Sequence, residues 1–121
     1  MGFAVPKLPS GRESFSPDAS YYDGPLPPDE MDFIEGPPTL AVEIRSKNGY
    51  GNAAEAEMAA KRADYFLAGT LVVWDVDPRD RCVRSYRADA LDQPITFHKG
   101  EMADAEPAVA GWRMGVGDIF A

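Results

Sequence analysis

Cysteine, histidine and long apolar runs are all scarce in this chain, and each scarcity removes a class of protein. Of 121 residues one is cysteine, Cys82, and one is histidine, His98. A single thiol closes no internal disulfide, and without Cys or His neighbours at ligand spacing it builds neither a zinc site nor an oxidised secreted scaffold. No stretch approaches the ~18 apolar residues of a membrane span. The opening Met1-Gly2-Phe3-Ala4-Val5-Pro6 lacks the basic segment and long apolar core of a secretory leader. A cytoplasmic protein with no membrane partner is the expectation. Positive charge is also in short supply: 12 basic residues against 20 acidic ones give a net charge of −8. That balance argues against broad attraction to nucleic acid or anionic lipid, but it leaves room for a local cationic site. There is no internal repeat.

The length and a hydrophobic content of 45% fit one domain with a real core. Asp23, Asp29, Glu30, Asp32 and Glu35 fall within the Pro/Gly-rich stretch 23–38, which contains no basic residue. This acidic loop supplies most of the charge imbalance. Gly2 to Val5 reads as a short edge strand and Asp18 to Tyr22 as another strand. One helical turn is expected around Asp29 to Ile34. Thr39 to Ser46 reads as a buried strand, rich in aliphatic and β-branched residues. Asn52 is placed to cap a helix over Ala53 to Ala68, which is Ala-rich, free of internal Gly and Pro, and followed by Gly69 in the C′ position. Leu71 to Val76 and Cys82 to Arg87 read as strands joined by a tight link, an antiparallel hairpin. Strand, helix, strand from Thr39 to Val76 predicts a crossover. Short strands at Ile95 to Phe97 and Val109 to Met114, then a closing turn at Val116 to Phe120, complete the reading.

Charge inside the Thr39–Ser46 strand is its most informative feature. Side chains alternate along a strand, so Leu40, Val42 and Ile44 share one face while Ala41, Glu43 and Arg45 share the other. A carboxylate in such a strand requires a cation, a metal or several donors. Arg45 on the same face could satisfy it. If the Asp18 strand lies alongside, Asp18 and Glu43 converge, and two carboxylates there suit a hard cation such as magnesium. On a helical projection Lys61 falls in the stripe of Ala54, Met58, Tyr65 and Ala68, the face directed at the sheet. It could pair with Glu57 one turn earlier or reach Glu43 and Asp18. Beside a metal-bound water it would orient that water and stabilise charge on a phosphate. His98 sits in a turn-like context and reads as solvated. The arginines at 79, 81, 84 and 87 cluster around one hairpin, either as a solvated edge or as a contact to a DNA backbone.

These fragments together resemble the Uma-two putative endonuclease family of the PD-(D/E)XK nuclease superfamily. The resemblance rests on Ser16-Pro17-Asp18-Ala19-Ser20, Ala41-Val42-Glu43-Ile44-Arg45-Ser46, Lys61 followed by Tyr65, Ala68 and Gly69, Val73-Trp74-Asp75-Val76-Asp77-Pro78, and the closing Glu106-Pro107 with Gly117-Asp118-Ile119-Phe120. It implies an α/β (mixed α+β) fold, a restriction-endonuclease-like mixed sheet with one main helix, in a single domain over residues 1–121. It further implies that Asp18 and Glu43 hold Mg2+ or Mn2+ while Lys61 and Arg45 position water or phosphate for hydrolysis of DNA. The superfamily's lysine would fall at position 45, where this chain has arginine, and Lys61 on the following helix takes that place. Arginine can clamp phosphate but is not a readily deprotonated base. The family pattern has helices and strands ahead of the Pro-Asp strand, so the resemblance implies a domain incomplete at its N-terminus. Apolar surface left open by that difference favours a homodimer. An inactive remnant of the nuclease fold, serving as an interaction domain or without activity, is the alternative.

Overall fold

Alternation along two neighbouring strands gives the sheet a helix side, where charges follow an apolar core, and an opposite side that is apolar along both strands. The computed structural model of the chain describes residues 1–120. Its main sheet has five strands in the order β3-β5-β6-β7-β8, formed by Ala19–Tyr21 (β3), Leu40–Ile44 (β5), Val72–Asp77 (β6), Cys82–Arg87 (β7) and Ala90–His98 (β8). β5 and β6 are parallel and joined by helix α1, Asn52–Ala68, while the other pairs are antiparallel. A parallel pair needs such a crossover, because a tight turn cannot reverse the chain twice. The mixed sheet with one main helix is the architecture expected from the sequence.

Helix α1 forms where the sequence carries many alanines and no breaker. Its N-cap is Gly51 at φ 96°, with no side-chain cap, so the helix starts one residue earlier than an Asn52 cap would place it. It ends as expected at Gly69, whose φ of 115° lies in the left-handed region and whose N–H reaches the carbonyls of Tyr65 and Phe66.

On the helix side, Phe3, Phe15, Ile34, Ala41, Tyr65 and Val73 form one core. Its outer layer is a small sheet in the order β2-β1-β4, made by Phe3–Ala4 (β1), Ser14–Phe15 (β2) and Ile34–Glu35 (β4). Gly2 to Val5 therefore supplies the middle of a three-stranded sheet, not an edge. Asp29 to Asp32 makes a turn closed by the Asp32 N–H on the Asp29 carbonyl at 3.0 Å, and the chain then enters β4 where a helical turn was expected.

On the opposite side, Leu40, Val72, Trp74, Val76 and Val83 pack against Ala103, Ala105 and Val116. That layer is the C-terminal hairpin of Met102–Asp104 (β9) and Arg113–Gly115 (β10), followed by the short helix Val116–Ile119 (α2). β8 runs over nine residues, far longer than the expected Ile95 to Phe97, because pairing with β7 extends strand structure into polar sequence. No helix among the described residues is long and apolar enough to cross a membrane.

Candidate functional site

The parity read from the sequence places Glu43 on the helix side of β5, at the mouth of a cavity of about 230 Å³ that Lys61 and Tyr65 also line. Lys61 Nζ donates to Glu43 Oε1 at 2.9 Å, and the Tyr65 hydroxyl donates to Glu43 Oε2 at 2.9 Å. Both donors come from one helical stripe four residues apart, so α1 holds each oxygen of this carboxylate separately. Lys61 thus pairs with Glu43 across the sheet, and Glu57 is not its partner.

Asp18 immediately precedes β3. Ala19 lies opposite Val42 and Ser20 opposite Ala41, so the residue before the ladder, Asp18, comes level with Glu43 one step further on. One Asp18 oxygen accepts the Ile44 N–H at 2.7 Å, which extends the ladder through a side chain. Its charge is felt at the Tyr65 hydroxyl, whose pKa is pushed up first by burial, then by Glu43, with Asp18 adding to the same effect.

Tyr65 is fully buried, its ring stacked on Phe15 with centroids 4.1 Å apart. In the sequence it reads only as one member of an apolar stripe. A tyrosine in that stripe one turn after Lys61 is the signal for its role, since a buried hydroxyl requires a partner.

Arg45 has a different occupation from the one its position suggested. Its Nε donates to Asp75 Oδ1 at 2.9 Å and its Nη2 to Asp75 Oδ2 at 2.7 Å. The remaining N–H groups reach Glu55 and the Gly49 carbonyl. All five guanidinium donors are therefore engaged by the protein, and none is left for a phosphate. The Asp75 hydrogen bonds raise the Arg45 pKa against the opposing effect of burial, with Glu55 assisting; Glu55 is in turn lowered chiefly by its hydrogen bond to Arg45. Glu43 and Arg45 share a face without pairing. Arg45 braces β5, β6, the Gly49 loop and the first turn of α1 against one another.

Asp75 was legible by the reasoning that singled out Glu43, as a charge inside an apolar strand. Register makes it a partner: Glu43 lies beside Asp75 on β6, and Asp75 lies opposite Arg84 on β7. Two residues on, buried Asp77 accepts the Tyr50 hydroxyl at 2.7 Å, the Arg79 and Asp80 amides at 3.0 and 3.2 Å, and Arg84 Nη1 at 3.1 Å.

The donor set near Glu43 is oxygen only. No group of three or more His, Cys, Asp or Glu that could hold a metal occurs among the described residues. Two carboxylates from adjacent strands fit a hard divalent cation that keeps much of its water, and do not fit a softer metal seeking nitrogen or sulfur.

A mixed sheet crossed by one helix thus carries Glu43 and Lys61, with Asp18 at the entry of the neighbouring strand, at the carboxyl end of its parallel strands. The family model described as "Putative restriction endonuclease", Uma2, matches residues 2–117, and the chain belongs to that family. Its fold is similar to the crystal structure of "a putative nuclease belonging to DUF820 from Anabaena variabilis ATCC 29413", with a TM-score of 0.71 and 18% sequence identity over 98% of this chain and 64% of that one. The chain thus spans less than two thirds of that relative's length. No curated protein matches it.

Proposed function

We propose that the protein is a magnesium- or manganese-dependent endonuclease that hydrolyses DNA phosphodiester bonds at the Asp18–Glu43–Lys61 site. The observation that carries this reading is the Lys61–Glu43 contact at 2.9 Å, with Asp18 on the neighbouring strand. Asp18 and Glu43 would hold the cation, which supplies Lewis acidity and a more acidic bound water. Lys61 would orient the attacking water and offset charge growing on the phosphate, a role its contact with Glu43 supports. Tyr65 fixes the second Glu43 oxygen, so the carboxylate is held before substrate arrives. Water adds to phosphorus, one P–O ester bond breaks, and the products are a phosphate monoester and a hydroxyl. Arg45 keeps the strand and helix in place and does not touch the substrate.

Calorimetry with Mg2+ or Mn2+ and a plasmid-nicking assay test this together. Wild type binds the cation and nicks slowly. Glu43→Gln loses both, and Lys61→Ala keeps cation binding while nicking falls by about 10²-fold or more. Wild type that neither binds nor nicks supports the inactive remnant. Nicking that survives in Glu43→Gln overturns the site.

We also infer that two copies associate through the far side of the sheet. A groove of about 550 Å³ there, bordered by edge strand β3 and by Trp112, is lined by no charged residue. On a chain of net charge −8, two copies meet with least repulsion at a charge-free face.

A further inference from the structure

Two arginines stand over tyrosine rings and have no acidic partner within salt-bridge distance. Arg62 Cζ stands 3.9 Å from the centroid of Tyr86, and Arg79 Cζ stands 3.9 Å from that of Tyr50. Neither guanidinium is ion-paired among the described residues, whereas Arg12, Arg45, Arg84 and Arg87 all are. Stacking on an aromatic face fixes the plane of the guanidinium and leaves the N–H groups on its edge free to donate.

The two stacks belong to one continuous strip. Tyr86 and Arg84 are two residues apart on β7 and share its helix-side face; Arg84 bonds Asp77, and Asp77 accepts the Tyr50 hydroxyl. Arg62 follows Lys61 on α1 and lines the same cavity as Glu43 and Lys61, so one end of the strip opens on those two residues. Tyr86 is paired with Val73, and the hairpin carrying Arg79 begins past the Asp77–Cys82 pair, four ladder positions away. That separation is about 13 Å at ~3.3 Å per residue. The span along the strands is thus longer than a single nucleotide step, which rises about 3.4 Å along one duplex strand.

We propose that Arg62 on Tyr86 and Arg79 on Tyr50 are phosphate contacts that lay a DNA strand along this strip and into the Glu43–Lys61 site. The proposal rests on the nuclease reading for the identity of the polyanion. It also accounts for an acidic chain binding DNA, since the contact is confined to two oriented guanidiniums and needs no general positive field. An acidic protein segment is the competing occupant, and the same experiment separates the two.

The test measures binding of a fluorescein-labelled 30-base-pair duplex by anisotropy in EDTA, across a salt series, so that no cleavage is needed. Wild type binds. Arg62→Gln/Arg79→Gln, folded with an unchanged melting temperature, binds at least 10-fold more weakly, and its slope of log K against log salt is shallower by about two, one for each phosphate that is no longer neutralised. Arg113→Gln, which removes one positive charge on β10, stays within about two-fold of wild type, the small change expected of a charge remote from the strip. The proposal is overturned if the double variant keeps wild-type affinity and slope, if Arg113→Gln weakens binding as much, if a poly-glutamate peptide displaces the duplex at equal charge concentration, or if wild type does not bind. Weakened binding in the double variant, from a wild type that binds DNA but neither binds cation nor nicks, leaves the strip standing and removes the catalytic reading alone.

Discussion

The two faces of the main sheet are built from the same strands by opposite chemistry. On the helix side, β5 and β6 present Ala41 and Val73 to an apolar core and then Glu43, Asp75 and Asp77, with Arg45 just past β5, and each of these charges has a named partner from α1, β7 or a loop. On the other side the same strands present Leu40, Val42, Trp74 and Val76, packed on small residues of the C-terminal hairpin. One step along the chain separates a buried guanidinium from an apolar groove. Burial alone therefore does not distinguish core from site here. What distinguishes them is the partnering of charges, which stabilises less per pair than apolar packing but fixes geometry more tightly.

The difference can be broken most severely at Asp75. Asp75→Asn leaves Arg45 buried with half its charge compensation gone, and urea unfolding should show a loss of about 3–5 kcal/mol. A loss below about 1 kcal/mol would mean that Glu55 alone satisfies Arg45, and the helix side would then be less tightly braced than its geometry indicates.

A second test uses acid. Burial pushes the Asp77 carboxyl up, but the Tyr50 hydroxyl, the Asp80 amide and Arg84 together outweigh it and hold its pKa at about 2 against the ordinary 3.8. A pKa lowered by folding contributes stability that is complete above the unfolded value and is lost as pH falls through the folded one. Asp77 should therefore contribute on the order of 2 kcal/mol at neutral pH, lost between about pH 4 and about pH 2. Urea midpoints across that range should fall more steeply for wild type than for Asp77→Asn, which starts lower and titrates less.

The smallest effect on stability is expected on the apolar side. Trp112 is exposed at 37% and its ring lies 5.4 Å from that of Trp74. Trp112→Glu should cost the folded chain about 1 kcal/mol or less while converting a dimer into a monomer by light scattering at tens of micromolar. A wild type that is monomeric under those conditions would refute association through this groove.

Much of this division was legible in the sequence, because a period of two assigns faces without knowledge of neighbours. Leu40, Val42 and Ile44 against Ala41, Glu43 and Arg45 followed from that rule, and Lys61 followed from the helical stripe. The partners of Arg45 did not. Asp75 becomes its counter-ion only through the parallel register of β5 and β6, and Glu55 only because α1 starts at Asn52, after a glycine with positive φ. The short strands β2 and β4 were also hidden, since two residues carry no readable period and exist because β1 lies between them. Arg62 and Arg79 are separated by β6 in the chain, and only the fold shows that each rests on a tyrosine.

Edge strand β3 gives the two carboxylates unequal tenure. Glu43 stands on β5, paired on both sides, whereas Asp18 leads into three exposed residues with a single neighbour, β5. Edge segments with few buried contacts open by local fluctuation at a lower free energy than the strands inside. Asp18 can therefore leave its place opposite Glu43 while the rest of the sheet stays folded. Hydrogen exchange should show the Ile44 amide, whose proton Asp18 accepts, exchanging faster than the Arg45 amide, which bonds the Val76 carbonyl. On the proposed reading, the affinity of Asp18 and Glu43 for a cation would be set by the opening equilibrium of one short strand and would be largely independent of the global stability of the domain.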